Sequence, residues 1–382
     1  MKLLILTDGI HPFVIGGMQK HSFYLAKNLA ELGHSITLVH CIDATKKLPT
    51  ATELEEVFGT NAMSNIEFIG LKFPSPSWYP GHYLKESYIY SRLAFDMLKD
   101  RLNTFDFIYS KGFTAWYFLE KKKKGTKMPP VSVKFHGYEM FQPPANFKSR
   151  IHNMILKSPV LWINQHADYI FSYGGKITGI IQSLGIASEK IIEIPTGIES
   201  SWCVEKIKEQ TDVIRFAFVG RFERRKGVEE LTEALRTLKD ECNFRFDFIG
   251  PIPPSVKVKS DKIVYHGSIS NKNEIQTILD KCQVLVVPSH SEGMPNVIME
   301  GMARGLAILA TDVGAVKSVV NEKNGWFVEA GDAPALKQLL GDITTLDAQA
   351  VREKRIQSLE HIKLFFWDQI AIHTASEISK RL

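Results

Sequence analysis

In the segment Pro288-Ser289-His290-Ser291-Glu292-Gly293-Met294-Pro295-Asn296-Val297-Ile298-Met299-Glu300, two carboxylates flank a loop that runs straight into a helical pattern. The residues before it are apolar and read as a strand. Ligands of a parallel sheet bind outside the carboxyl ends of its strands, and the unpaired N–H groups of a helix start, with the helix dipole, suit a diphosphate. Gly293, Met294, Pro295, Asn296 and Val297 are therefore the expected phosphate turn, with Pro295 at the first helical position. Glu292 in the loop and Glu300 one turn into the helix can accept hydrogen bonds from vicinal hydroxyls of a sugar and a ribose. The plainer alternative has Glu292 capping the helix and Glu300 in water.

A cationic turn comes earlier in the same half. Val219-Gly220-Arg221-Phe222-Glu223-Arg224-Arg225-Lys226-Gly227 follows another apolar run, so its cations lie at the same sheet edge as the glutamates. Arg221 offers a planar fork and Lys226 a compact charge; a departing nucleoside diphosphate needs its growing negative charge stabilised. A solvated turn is the competing reading. The two glutamates do not read as a glycosidase pair, because their partners are hydroxyls rather than a scissile bond. No Asp-x-Asp occurs, so the usual carboxylate pair of a metal-dependent transferase is missing and no metal cofactor is expected.

The elements that must position these residues follow from periodicity. Residues 2–7 form an apolar strand, Gly16-Gly17 opens a helical pattern through His21, Leu25, Leu29 and Leu32 that stops at Gly33, and residues 36–42 form the next strand. That order is a βαβ unit, and its wholly apolar strands imply a parallel sheet covered on both faces. Further strands are expected at 66–69, 105–109, 131–135, 169–172 and 191–194. Residues 195–211 lose periodicity and read as a linker. A second set comes after it, with strands at 215–220, 244–250, 263–266, 284–288 and 307–310 and helices at 228–239, 273–281 and 296–304. The expected fold class is α/β, with two doubly wound domains.

Composition is consistent with this. At 382 residues, 44% hydrophobic and 23% charged, the chain can bury two cores. A net charge of +5, from 47 basic and 42 acidic residues, suits phosphate ligands or an anionic surface and does not by itself argue for nucleic acid. Cys41, Cys203, Cys242 and Cys282 show no C-x-x-C spacing, so neither a disulfide framework nor zinc is indicated, and a reducing cytoplasm is the expected location. The apolar run at residues 3–6 is too short for a signal or a span, so membrane contact is expected to be peripheral.

Gly220-Arg221 with Lys226-Gly227, Glu292-x7-Glu300, Thr311-Asp312-Val313-Gly314 and Asn324-Gly325 together resemble the retaining GT-B glycosyltransferases of family 4. In the first half, Gly16-Gly17, Leu32-Gly33-His34, Phe135-His136-Gly137 and Ile194-Pro195-Thr196-Gly197-Ile198 match that family more loosely. The resemblance implies a GT-B fold: two Rossmann-like domains facing across a cleft that holds a nucleotide-sugar donor. Residues 1–198 would be the acceptor side, 199–361 the donor side, and 362–382 a helix returning to the first domain, with Phe365, Phe366, Trp367 and Ile370 as its packing residues.

It further implies that Arg221 and Lys226 hold the diphosphate, Glu300 the ribose and Glu292 the donor-sugar hydroxyls, with Gly16, Gly17 and Gly220 in the donor-binding set. Gly17 would admit the phosphates close to the backbone. His136 would sit beside the transferring sugar, joining Arg221, Lys226 and Glu292 as the catalytic set; His34 reads as a structural turn. Transfer would retain anomeric configuration without a protein nucleophile, the acceptor attacking from the leaving-group face. Ser318 stands where the family often carries a carboxylate, which touches the fine contacts around the donor.

Signals about the acceptor, expected to be a glycan or a lipid-linked glycan of cell-surface polysaccharide or glycolipid assembly, are weaker. Phe73, Trp78, Tyr79, Tyr83, Tyr88 and Tyr90, interleaved with prolines, read equally as a packing loop or a sugar-stacking surface. Lys121 to Lys124, after Trp116 to Leu119, form either a solvated helix end or a dock for anionic headgroups. Other readings are a GT-B epimerase or phosphorylase, or a catalytically silent nucleotide-sugar-binding subunit. A nicotinamide dehydrogenase is disfavoured, because the first turn lacks G-x-G-x-x-G.

Overall fold

The structure is a computed structural model that describes residues 1–74, 81–142, 147–208 and 213–382, excepting the side chains of 147–149 and 152. The chain divides into two compact units, one of Met1–Gly197 with Trp367–Leu382 and one of Ile198–Phe366.

The first unit is built on seven strands: β1 Lys2–Leu6, β2 Ser35–Ile42, β3 Ile66–Lys72, β4 Phe107–Lys111, β5 Val131–Lys134, β6 Tyr169–Ser172 and β7 Ile191–Glu193. They run parallel in the order β3-β2-β1-β4-β5-β6-β7. Leu3, Leu4, Ile5 and Leu6 are all buried, as strands covered on both faces must be. The helix Gly17–Glu31 crosses from β1 to β2 and buries Phe23, Leu25, Ala26, Leu29 and Ala30. Trp367, Ile370, Ala371 and Ile378 of the last helix, Trp367–Ser379, fill the same core.

The second unit repeats the plan with six parallel strands, β8 Arg215–Val219, β9 Arg245–Ile249, β10 Ile263–Gly267, β11 Val284–Val287, β12 Ala307–Thr311 and β13 Gly325–Val328, ordered β10-β9-β8-β11-β12-β13. Phe216, Phe218, Phe246 and Phe248 anchor its separate core. In each sheet the strand order reverses once, between β1 and β4 and between β8 and β11, and a doubly wound sheet opens its ligand crevice there.

Several expectations need correction. β4 lies two residues later than its apolar run suggests, because the turn Leu102–Thr104 precedes it. Pro295 is the N-cap of the helix Asn296–Ala303 rather than its first residue. Phe365 and Phe366 precede the last helix, which begins at Trp367. β13 and the helices Ala333–Thr345 and Ala348–His361 are additions to the elements expected from periodicity.

Candidate functional site

In the second unit the site residues lie at the reversal point of the sheet. The loop after β8 carries Gly220 to Gly227 and the loop after β11 carries Pro288 to Pro295. Two glycines fix how these loops meet. Gly227 has φ +66°, and a Cβ there would lie 1.9 Å from the Pro288 carbonyl oxygen, so only glycine lets the cationic turn approach the end of β11. Gly314 has φ +56°, and a Cβ there would lie 2.2 Å from the Glu292 carbonyl oxygen.

Held this way, the two loops join through charge. Lys226 Nζ donates to Glu292 Oε1 at 2.6 Å, and the pair is largely buried, at 16% and 7% side-chain exposure. The Ser289 hydroxyl donates to the same oxygen at 2.8 Å, and Arg225 Nη1 lies 3.6 Å from Glu292 Oε2. Breaking a buried pair strands a charge, so this contact orders the loop strongly only while both partners are present. Arg221 turns elsewhere: it is mostly exposed and pairs with Glu223 at 2.9 Å, and Arg225 reaches the same carboxylate at 2.8 Å.

The structure thus joins Lys226 to Glu292 and leaves Arg221 outside that contact. Arg225, within the cationic run but given no role by sequence, bridges the two acids. His290, adjoining the glutamate loop, lies between Glu230 and Arg224 at 3.0 and 2.7 Å.

In the second unit, the other residues expected at the donor site lie in these two loops and in the helix that follows the second. Gly220 donates to the Ile249 carbonyl at 2.9 Å, and the Gly293 carbonyl accepts from Ala315 at 2.8 Å. Met294 is buried, Asn296 and Val297 are half-buried in the first turn of their helix, and Glu300 is half-buried one turn on. The N-cap residue of that helix, Pro295, supplies no side-chain acceptor to its first N–H groups. Gly16 is the N-cap of Gly17–Glu31 and Gly17 its first residue, in the other unit.

In the first unit, His136 lies just past β5, half-buried, with Nδ1 2.8 Å from the Tyr173 hydroxyl. That hydroxyl has no other partner among the described residues, so the phenol donates, Nδ1 accepts and the imidazole proton sits on Nε2. Burial, reinforced by Lys111 and Lys134, pushes the His136 pKa down to about 3. The ring is neutral across the working range and offers an N–H donor.

His136 lines a cavity of about 180 Å³ at the reversal point of this sheet, together with Asp8 beyond β1 and Lys111 at the end of β4. Lys111 is buried and its Nζ lies 2.8 Å from His21 Nδ1. Burial holds the Lys111 ammonium well below its ordinary pKa, with Asp8 opposing the shift. Asp8, Lys111 and Tyr173 are site residues that the sequence motifs do not single out. A polar residue closing an apolar strand run is the available signal for the first two.

Of the aromatic segment, Trp78 and Tyr79 lie outside the described residues, whereas Phe73 and Tyr83 stack at 6.3 Å between centroids. The lysine run has internal partners: Lys122 with Asp168 and Lys124 with Glu120, both at 2.5 Å, and Lys121 over the Tyr117 ring at 5.1 Å. Among the described residues no helix is long and apolar enough to cross a membrane.

The two units correspond to two known sequence families. Residues 15–202 match the sequence model of "Glycosyltransferase Family 4", and residues 214–345 match that of "Glycosyl transferases group 1". TuaC of Bacillus subtilis, whose name gives it as a glycosyltransferase of teichuronic acid biosynthesis, is 32% identical over 32% of this chain and 31% of its own. An N,N'-diacetylbacillosaminyl-diphospho-undecaprenol alpha-1,3-N-acetylgalactosaminyltransferase of Campylobacter jejuni is 25% identical over 61% of this chain and 66% of its own. The chain therefore spans less than two thirds of the length of these relatives.

Among solved structures, sucrose-phosphate synthase from Thermosynechococcus elongatus superposes with a TM-score of 0.76 at 17% identity, covering 100% of this chain and 98% of that one. The lipopolysaccharide outer core galactosyltransferase WaaB gives 0.73 at 15%, covering 100% of each chain. At such identities the likeness establishes the fold, which is GT-B.

Proposed function

From a chain whose two segments, 15–202 and 214–345, both match glycosyltransferase families, we propose a retaining glycosyltransferase of family 4. Its donor is a nucleoside-diphosphate sugar. Its acceptor is a glycan or lipid-linked glycan in cell-surface polysaccharide assembly; TuaC is named for teichuronic acid and the Campylobacter enzyme for a sugar on diphospho-undecaprenol. One observation carries the reading: Lys226 and Glu292, 2.6 Å apart, occupy the loops after β8 and β11, where this sheet opens its ligand crevice.

In this reading the diphosphate takes Lys226 from Glu292, with Arg225 and Arg221 completing the cationic side and the helix start at Asn296 supplying N–H groups. Glu292, released, accepts from donor-sugar hydroxyls, and Glu300 accepts from the ribose. The bond from the anomeric carbon to the diphosphate oxygen breaks, a bond to the acceptor oxygen forms, and the acceptor proton passes to the departing phosphate. The cations stabilise the charge that grows on that phosphate. His136, through Nε2–H, donates beside the transferring sugar.

Side-chain cations take the place of a divalent ion, so turnover in excess EDTA should equal turnover without it; loss that magnesium restores would refute that part. The proposed activity as a whole is tested by incubating the protein with a panel of nucleoside-diphosphate sugars, with and without glycan acceptors. Nucleoside diphosphate release that depends on acceptor supports transfer, and NMR of the product's anomeric coupling reports retention. Conversion of the donor alone would identify an epimerase, and binding without turnover a silent subunit.

A further inference from the structure

On the transferase reading, donor binding undoes the contact that joins the two loops of the second unit. Lys226 and Glu292 bridge the loop after β8 to the loop after β11 at 2.6 Å, and the diphosphate takes Lys226 away from Glu292. A tie that the ligand does not consume must then hold the cationic turn against the end of β11.

His290 supplies such a tie. Its backbone N–H donates to the Arg225 carbonyl at 2.7 Å, one residue before Lys226. A single hydrogen bond fixes a point and not an orientation, so the loops could still rotate about it. The side chain adds a second point: Nε2 lies 2.7 Å from Arg224 Nη1 and 3.0 Å from Glu230 Oε1. Arg224 Nη1 itself reaches Glu230 Oε1 at 2.7 Å, so side chains from two loops and one helix close a triangle.

Each corner of that triangle is anchored. Glu230 is the third residue of the helix Val228–Glu241 and is largely buried, at 10% side-chain exposure. A carboxylate is favoured in a first helical turn by the helix dipole. The imidazole lies against the turn after β13, where a Cβ on Gly331 would come within 3.3 Å of Cε1. Unprotonated, Nε2 accepts from Arg224; protonated, it donates to Glu230, so one partner is kept in either form. Arg224, Glu230 and the His290 ring are not among the groups assigned to the donor, so donor binding leaves these contacts in place.

We propose that His290 is a positioning residue of the donor site, holding the Arg224–Lys226 turn against the loop after β11 once the diphosphate has drawn Lys226 from Glu292. This assignment rests on the transferase reading. In the free protein the two side-chain ties act in parallel, and loss of either leaves the other. With donor bound, the loops rest on the histidine.

The test uses the full chain, with uridine, guanosine, adenosine, cytidine and thymidine diphosphates as probes, in isothermal titration and thermal melting. His290→Ala should bind the preferred diphosphate about tenfold more weakly, the loss of a hydrogen bond to a charged group. His290→Gln, whose amide both accepts and donates, should recover most of that affinity, whereas His290→Leu, which fills the space without a polar atom, should stay as weak as His290→Ala. Melting of the free protein supplies a second measurement. Glu292→Ala removes the carboxylate that Lys226 and Arg225 share, so combining it with His290→Ala should lower Tm by about 2 °C or more beyond the sum of the single losses.

Equal diphosphate affinity in wild type and His290→Ala, recovery by His290→Leu as complete as by His290→Gln, or additive melting losses would overturn the proposal. Melting losses beyond additivity in a protein that binds none of the five diphosphates would support the tie between the loops and remove the transferase reading instead.

Discussion

Tyr173 decides what His136 can do. Its hydroxyl, 2.8 Å from Nδ1, leaves the ring proton on Nε2 and makes the histidine a fixed donor rather than a base. Tyr173→Phe removes that lock and leaves a buried nitrogen unpaired, so turnover should fall about three- to tenfold with the donor KM unchanged, about 1 kcal/mol. Steady-state kinetics checks this, and unchanged turnover would count against a role for the tautomer.

Asp8 makes a pH-dependent prediction at the same scale. Burial raises its carboxyl from 3.8 to about 6, against the pull of Lys111. Largely protonated below about pH 3 in both states, it costs almost nothing there. Its cost grows as pH rises through 4 to 6 and is constant above. Asp8→Asn should therefore match wild-type stability near pH 3 and exceed it by about 3 kcal/mol at pH 7, as read by Tm. A gain that is the same at both pH values would contradict the assigned cause.

At the scale of elements, the loops after β8 and β11 depend on glycines that carry no chemistry. Gly227→Ala forces a Cβ into the Pro288 carbonyl at a positive φ, so the cationic turn must withdraw from β11. Expected are a loss of about 2–4 kcal/mol in denaturant unfolding and loss of nucleotide binding together; a stable variant that binds normally would show the turn is not held there.

The same elements show what is legible in the sequence. Buried parallel strands announce themselves as apolar runs, which is why β1, β6 and β11 fall close to their expected places. β13 escapes because Gly325-Trp326-Phe327-Val328 is short and opens on a glycine, and its pairing of Ile308 with Gly325 is long-range. Lys226 and Glu292 are legible as types at strand ends. That Glu292 engages Lys226 and Arg225 while Arg221 turns to Glu223 depends on loop paths no spacing encodes.

At the scale of the molecule, one plan is used twice. Two cores, one around Phe107 and Ile5 and one around Phe216 and Phe248, support two parallel sheets whose order reverses once each, and polar residues gather at both reversals. The charges differ: a cationic turn against an acidic loop in one unit, a small aromatic and carboxylate-lined cavity in the other. A fold of this kind hosts many chemistries, so assignment rests on the ligands and not on the architecture.

Nucleotide binding at Lys226 is therefore the quantity to measure, by titrating the whole chain with a panel of nucleoside diphosphates and following thermal melting, in wild type and Lys226→Ala. Binding to the native state alone raises the melting point by linkage. At least one nucleoside diphosphate should stabilise the wild type and bind Lys226→Ala about ten- to a hundredfold more weakly, the loss of a charge-assisted contact. Equal stabilisation of both proteins, or of neither, would contradict a donor site built on that lysine.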